Sequence, residues 1–300
     1  MPPRQNYACI AACDGRPYLG FQPLGELPSV GGAINSAFRR LGLGASVFGA
    51  SRTDARVQST GQVLSFHTRS DITPGELQCA LNDALPATIR ILALRRAAPS
   101  FHAHWSSIGK TYRYRLSPHP LAISAEPAAI DWNALDAVRL RDGLNLLASL
   151  PDLSGFSASD KRDGGRVRTI FPPRLLEASP NDGVLVEIQG TGFGRYQIRN
   201  LMAAAIAFGT GKLSAPDLIA MAQGALLHPF RAQAEGLCLF RVHYARGTSP
   251  FSETDLSAAL FSAVRAIPFL ENYLTRGELL CGIPDCRAFP SDTSISGKDS

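Results

Sequence analysis

Strand-like segments of this chain follow one another too closely for crossover helices to join them, and that limits the folds open to it. Alternation and β-branched content mark strands at 7–13, 47–53, 62–67, 89–94, 111–116, 167–178, 184–190 and 237–244. A parallel connection takes about a dozen residues or more. Only eight residues lie between the second and third of these strands, and five between the sixth and seventh. Mainly antiparallel pairing within an α+β fold is therefore expected. Helical periodicity falls between the strands. Ser29 reads as the N-cap of a helix that aligns Val30, Ile34, Ala37 and Leu41, with Gly31 and Gly32 weakening its first turn. Further helices are expected at 74–85, at 133–149, at 195–208 closed by Gly209 and Gly211, and in a short piece from Pro216. A Gly/Asp/Arg-rich loop is expected at 158–166.

At 300 residues, 45% of them hydrophobic and 18% charged, the chain can bury a sizeable core and is not wholly disordered. About 150 residues per domain makes this two domains' worth. The pattern divides into an α+β subdomain at 1–100, a second at 101–245 and an acidic extension at 246–300. In the extension, Ser252 and Asp255 form a capping-box pattern, a helical stretch runs through Leu260–Leu274, and the final ten residues are expected to be disordered. The apolar run Met202–Phe208, with Leu201 before it, falls far short of the roughly 18 residues a membrane span needs. No secretory-signal pattern opens the chain, so a cytoplasmic protein with no membrane association is expected. The six cysteines lack a repeated metal-ligand spacing, and His67, His102 and His104 lack a helix-spaced pair, so no metal is expected.

Only four of the 30 Lys+Arg residues are lysine. The arginine fork suits phosphate and base stacking, although GC-rich coding would also raise arginine. Residues 246–300 hold five basic and seven acidic side chains, which concentrates the net charge of +5 in the first 245 residues. That asymmetry points to an anionic partner, of which nucleic acid is the commonest.

Three segments could carry chemistry. If 51–57 is extended, Arg52, Asp54 and Arg56 share one face, and the two cations favour an ionised carboxylate ready to act as nucleophile or base. A surface ladder of ion pairs has the same spacing. Phe101-His102-Ala103 precedes Lys110-Thr-Tyr112-Arg113-Tyr114-Arg115, whose alternation offers either aromatic faces for bases with cations for phosphates, or an ordinary sheet core. In Gly190-Thr-Gly-Phe193-Gly-Arg195-Tyr-Gln-Ile-Arg199-Asn200, Arg195 and Arg199 are four apart and face one side of a helix, to meet phosphate, a buried carboxylate or solvent. The Walker and dinucleotide spacings are both missing from this segment.

Taken together, these segments resemble the TruA-type tRNA pseudouridine synthases. The family signature G-R-T-D-A-G-V-H-x-x-G-Q-V is followed in order by Ser51-Arg52-Thr53-Asp54-Ala55-Arg56-Val57-Gln58-Ser59-Thr60-Gly61-Gln62-Val63. Upstream, Asp14-Gly15-Arg16-Pro17-Tyr18-Leu19-Gly20-Phe21-Gln22 is similar to Y-D-G-x-x-Y-x-G-W-Q. Downstream, Phe101–Ala103 and Lys110–Tyr114 match F-H-A-R-F-S and K-x-Y-x-Y. Arg168-Thr169-Ile170, Phe193–Asn200 and Glu235-Gly236-Leu237 with Val242 and Tyr244 continue the match to about residue 245. The resemblance implies two similar α/β subdomains forming an extended mixed, mainly antiparallel sheet flanked by helices, the pseudouridine synthase fold. It implies isomerisation of uridine in the anticodon stem-loop of tRNA by a homodimer, with no cofactor. It also implies roles: Asp54 as nucleophile, Tyr112 stacking on the extruded base, Arg199 pairing with the carboxylate, and Arg52 holding the base out of its stack. Arg56, Gln58, Phe101, His102, Tyr114, Arg168, Phe193 and Arg195 are then the substrate-binding candidates.

The chain departs from the family at Arg56 for glycine, Gln58 for histidine, His104 for arginine, Phe21 for tryptophan and Cys13 for tyrosine, and in its longer end. These changes bear on RNA recognition more than on bond chemistry. The alternatives are a paralogue acting on a free uridine nucleotide or another RNA, and an RNA-binding protein without turnover.

Overall fold

The computed structural model describes residues 3–117, 132–158, 168–179, 183–226 and 231–281. In chain order the elements are β1 (Gln5–Cys13), α1 (Val30–Arg40), β2 (Phe48–Gly49), β3 (Gln58–Thr68), α2 (Pro74–Ala84), β4 (Ile89–Arg96), β5 (Ser107–Leu116), α3 (Ala137–Ser149), β6 (Arg174–Ser179), β7 (Gly183–Gly190), α4 (Gln197–Gly209), α5 (Ala215–Ala222), β8 (Leu237–Tyr244), α6 (Glu253–Ala266) and α7 (Arg276–Cys281). Eight strands make one sheet in the order β4-β1-β3-β8-β5-β7-β6, with β2 on β3. Among the described residues every strand pairing is antiparallel except the seam between β3 and β8. The short spacings of the sequence thus produce the antiparallel ladders expected of them.

The seam ladder is only two residue pairs long, Gln58↔Cys238 and Ser59↔Leu239. Side chains extend it: the Ser59 and Thr60 hydroxyls donate to the carbonyls of Leu239 and Phe240, both at 3.2 Å. Gly61 permits this approach, since a Cβ there would lie 2.2 Å from the Phe240 oxygen.

Period two sorts each strand between two faces. On β1, Tyr7, Cys9, Ala11 and Cys13 pack with α1 and α2, whereas Ala8, Ile10 and Ala12 face the other way. On β5, Tyr112, Tyr114 and Leu116 join the core of α3 and α4. Arg113 and Arg115 point to the opposite face, which α6 and the chain after it cover. Arg113 is buried there, bidentate to Glu278 at 2.7 Å and bonded to Glu187 and the Tyr273 carbonyl. Arg115 reaches Glu177 and the carbonyls of Asn272 and Leu274. The cations of the Tyr/Arg alternation therefore serve buried ion pairs and not phosphate.

Local chemistry moved several boundaries. Ser29 caps α1 as expected, accepting from the Gly32 amide at 3.2 Å. The strand expected at 47–53 shrinks to β2, because the chain leaves the sheet to form the loop that carries Asp54. The strand expected from 167 begins at Arg174: Pro172 and Pro173 carry no N–H for a ladder, and Ile170 makes only an isolated bridge to Gly190. The helix expected from 133 starts at Ala137, where Asp136 accepts from the amides of Val138 and Arg139. The helix expected through Leu260–Leu274 breaks ahead of Pro268 into α6 and a 3₁₀ turn, Pro268–Tyr273. Nearly all of the loop expected at 158–166, and the final ten residues, lie outside the described residues.

Candidate active site

Asp54 sits in the loop between β2 and β3, and the motif residues around it hold that loop in place. Gln62 clamps Ser51 from both sides, its Oε1 accepting from the Ser51 amide at 3.1 Å and its Nε2 donating to the Ser51 carbonyl at 2.8 Å. The Phe21 amide donates to the Thr53 carbonyl and the Arg56 amide to the Tyr18 carbonyl. Gly15 and Gly20 allow this contact: a Cβ on the first would lie 1.9 Å from the Val57 oxygen, and on the second 2.7 Å from the Thr53 oxygen. The upstream Asp-Gly segment is thus a cradle for the Asp54 loop.

The loop is not extended. Arg56 has a φ of +67°, in the left-handed region where the family signature carries glycine. The turn swings the Arg56 side chain away from Asp54 and onto Glu235, with which its Nε forms an ion pair. Arg52 is exposed. The expected face of Arg52, Asp54 and Arg56 is therefore corrected: neither flanking arginine pairs with the carboxylate. Gln58 is fully buried, accepting from the Gly15 amide at 2.8 Å and donating to the Arg56 carbonyl at 2.7 Å.

The cations near Asp54 come from the second half of the chain. Arg199 on α4 places Nη1 3.7 Å from the Asp54 Oδ2, while its Nε donates to the Ala232 carbonyl at 2.7 Å. Arg195 does not share a helix with Arg199, because Tyr196 is left-handed at φ +63° and α4 starts one residue later. Both arginines nevertheless converge on the Tyr196 ring, at 4.7 and 6.0 Å, and Arg231 stacks on it at 3.7 Å. Partial burial pushes the Asp54 carboxyl above its ordinary value, against the opposing charges of Arg199, Arg231 and Arg195.

Tyr112 is buried on β5, its hydroxyl 2.7 Å from the Ser51 Oγ and its ring edge-on to Phe193 at 5.3 Å. Burial raises its pKa, so it stays protonated at neutral pH. Arg168 lies against Gly194, three residues before Gln197, where a Cβ would come within 3.2 Å of its Nη1. The structure thus gathers Asp54, Tyr112, Phe193, Arg195 and Arg199, with Arg168 at the edge. The other candidates have partners of their own. Tyr114 is buried and donates to the Gln233 carbonyl at 2.8 Å. Phe101 packs on Tyr244 at 5.2 Å, and His102 accepts the amides of His104 and Trp105 through Nδ1. Tyr196 and Arg231 also lie here, and no period or spacing in the sequence connects them to Asp54.

Lys110 lies two residues before Tyr112 on the same face of β5 and is buried. Burial and the Arg168 charge push its amine down to about 8, and no hydrogen bond or ion pair holds it among the described residues. Lys110→Met is therefore expected to stabilise the fold by on the order of 3 kcal/mol at pH 7, taking 1.36 kcal/mol per pK unit. Between about pH 8 and the ordinary 10.5, the unfolded chain holds a proton that the native state has released, so wild-type stability rises with pH and the gain fades. Urea midpoints at pH 7 and at about pH 10 read this directly.

The extended mixed sheet flanked by helices is the architecture of a pseudouridine synthase. Residues 151–245 match the sequence pattern of the family described as tRNA pseudouridine synthase. The chain is 30% identical over 243 residues to the tRNA pseudouridine synthase A of Exiguobacterium sibiricum, covering 80% of this chain and 97% of that one. It is 33% identical to the tRNA pseudouridine synthase A 1 of Desulfotalea psychrophila, covering 80% of this chain and 100% of that one. It is 34% identical to the tRNA pseudouridine synthase A of Akkermansia muciniphila, at 79% and 94%. The chain belongs to the tRNA pseudouridine synthase A family, whose members are isomerases.

Proposed function

We propose that the protein isomerises uridine to pseudouridine in the anticodon stem-loop of tRNA, with Asp54 as the nucleophile. The Asp54 carboxylate attacks the nucleoside, the bond from the sugar to N1 of uracil breaks, and the freed base turns. The sugar then bonds to carbon 5 as its bond to the Asp54 carboxylate breaks and frees that side chain, and carbon 5 loses its proton while N1 gains one. Atoms and charge balance without a cofactor. One observation carries the reading: a half-buried carboxylate ion-paired to Arg199, with a buried protonated tyrosine held by the next loop residue but two, Ser51. In this reading Arg199 holds Asp54 ionised and aimed, Tyr112 and Phe193 receive the extruded base, Arg52 holds it out of its stack, and Arg168 and Arg195 meet RNA phosphates. Arg56, Gln58 and Tyr114 act on the loop and its support, while Phe101 and His102 shape the rim beside Ala50. Residues 1–100 and 101–245 form the two sides of the site. The protein works as a homodimer in the cytoplasm; among the described residues no helix is long and apolar enough to cross a membrane.

The test offers the purified protein unmodified tRNA and free UMP in parallel and measures pseudouridine in each. Product in the anticodon arm is expected. Product from UMP alone would replace the tRNA reading with that of a free-nucleotide enzyme. Added salt separates the two further, since tRNA binding should weaken steeply with it, by a slope of about 0.7–0.9 per phosphate contacted.

A further inference from the structure

The family match ends at residue 245, and about four-fifths of this chain spans 97% and 100% of two relatives. Residues 246–281 follow the end of that match. They are not loosely attached. Leu260, Ala263, Val264, Ile267, Leu270, Tyr273 and Leu274 share a core with Ala12, Cys238 and Phe240 of the sheet. Glu278 closes the buried Arg113 pair.

Tyr273 reaches through to the other side of this packing. It is fully buried, and its hydroxyl donates to the Glu235 carbonyl. Glu235 in turn holds Arg56 through its own buried carboxylate. The short segment 231–236 is where several contacts meet: the Ala232 carbonyl holds Arg199, the Gln233 carbonyl holds Tyr114, and Glu235 holds both Arg56 and Tyr273. A side chain in the left-handed region is strained where glycine would not be, and persists where its surroundings over-determine it. Arg56 stands where the family signature has glycine, and the chain after 245 lies beyond the family match. These two departures meet at Glu235.

We infer that Tyr273 is a positioning residue for the isomerisation: through Glu235 and Arg56 it holds the loop that presents Asp54 to Arg199. The added C-terminal segment is thus a working support of the active site. This inference rests on the isomerase reading above for its kinetic consequences, and on the contacts alone for its structural ones.

Tyr273→Phe keeps the ring and deletes only the hydrogen bond. On tRNA it is expected to lower kcat about 10-fold, the scale of a small misplacement of reacting groups. KM should stay within about two-fold, since no group that meets RNA is removed. Amides at 53–57 should exchange hydrogen faster. In an Arg56→Gly background, which cuts the link and relaxes the backbone, Tyr273→Phe is expected to change kcat by less than about two-fold. Unchanged kcat and exchange in the single variant, or losses that multiply in the double, would overturn the inference. Should Tyr273→Phe not fold, Glu235→Gln weakens the ion pair while keeping the backbone contact, and is expected to speed the same exchange and lower kcat. Unchanged values there would equally overturn it. Hydrogen exchange needs no turnover, so a wild-type protein that made no pseudouridine would sink the isomerase reading and leave this test standing.

Discussion

Asp54→Ala is expected to lower pseudouridine formation by at least about 10³-fold while leaving tRNA affinity nearly unchanged, because a covalent nucleophile has no substitute in the mechanism. The electrostatics support the second half of that expectation. Arg199, Arg231 and Arg195 all act on the Asp54 carboxylate, and removing it leaves their charge available to RNA. Release of tritium from uridine labelled at carbon 5 follows the chemistry, and filter binding at fixed salt follows affinity. Asp54→Asn keeps the side-chain volume and should fail alike. Turnover within about ten-fold of wild type in either variant would move the nucleophile elsewhere.

Arg199→Ala should cost about 10²-fold in kcat, the scale of one charged contact that orients a reacting group. Its pH signature is the sharper result. Burial pushes the Asp54 carboxyl up, and Arg199 is the strongest of the charges that pull it down. Without Arg199 the carboxyl holds its proton to higher pH, so the acid limb of the pH–rate profile moves upward. Arg199→Lys restores the charge but not the fork that lets Nε donate to Ala232 while Nη1 faces Asp54. It should return the acid limb toward wild type with only partial kcat. An unmoved limb in Arg199→Ala would mean that Arg199 does not control the ionisation of Asp54.

Much of the scaffold was legible in the sequence because the relevant signals are local. Ser29 caps α1 and Ser252 caps α6 by hydrogen bonds to the amide three residues on, and such contacts need only a four-residue pattern. Short connections decide antiparallel pairing for the same reason. The prolines at 172, 173 and 268 announced breaks that the wider periodicities ran through. The glycines of the motifs were visible but their purpose was not: Gly15, Gly20 and Gly61 each face backbone from a distant segment.

By itself, then, the sequence determined most of the strands and helices and the mainly antiparallel sheet, because alternation, capping and turn chemistry are properties of a few neighbouring residues. The tertiary structure decided which arginine meets Asp54. Arg52, Arg56, Arg195, Arg199 and Arg231 are chemically alike; proximity along the chain favoured the first two, and only the family resemblance pointed to Arg199. A left-handed turn sends Arg56 to Glu235, and segment 231–236 holds Arg199 across from the carboxylate. That choice rests on contacts between segments far apart in the chain, Asp54 with Arg199 and Arg56 with Glu235, where no spacing rule reaches.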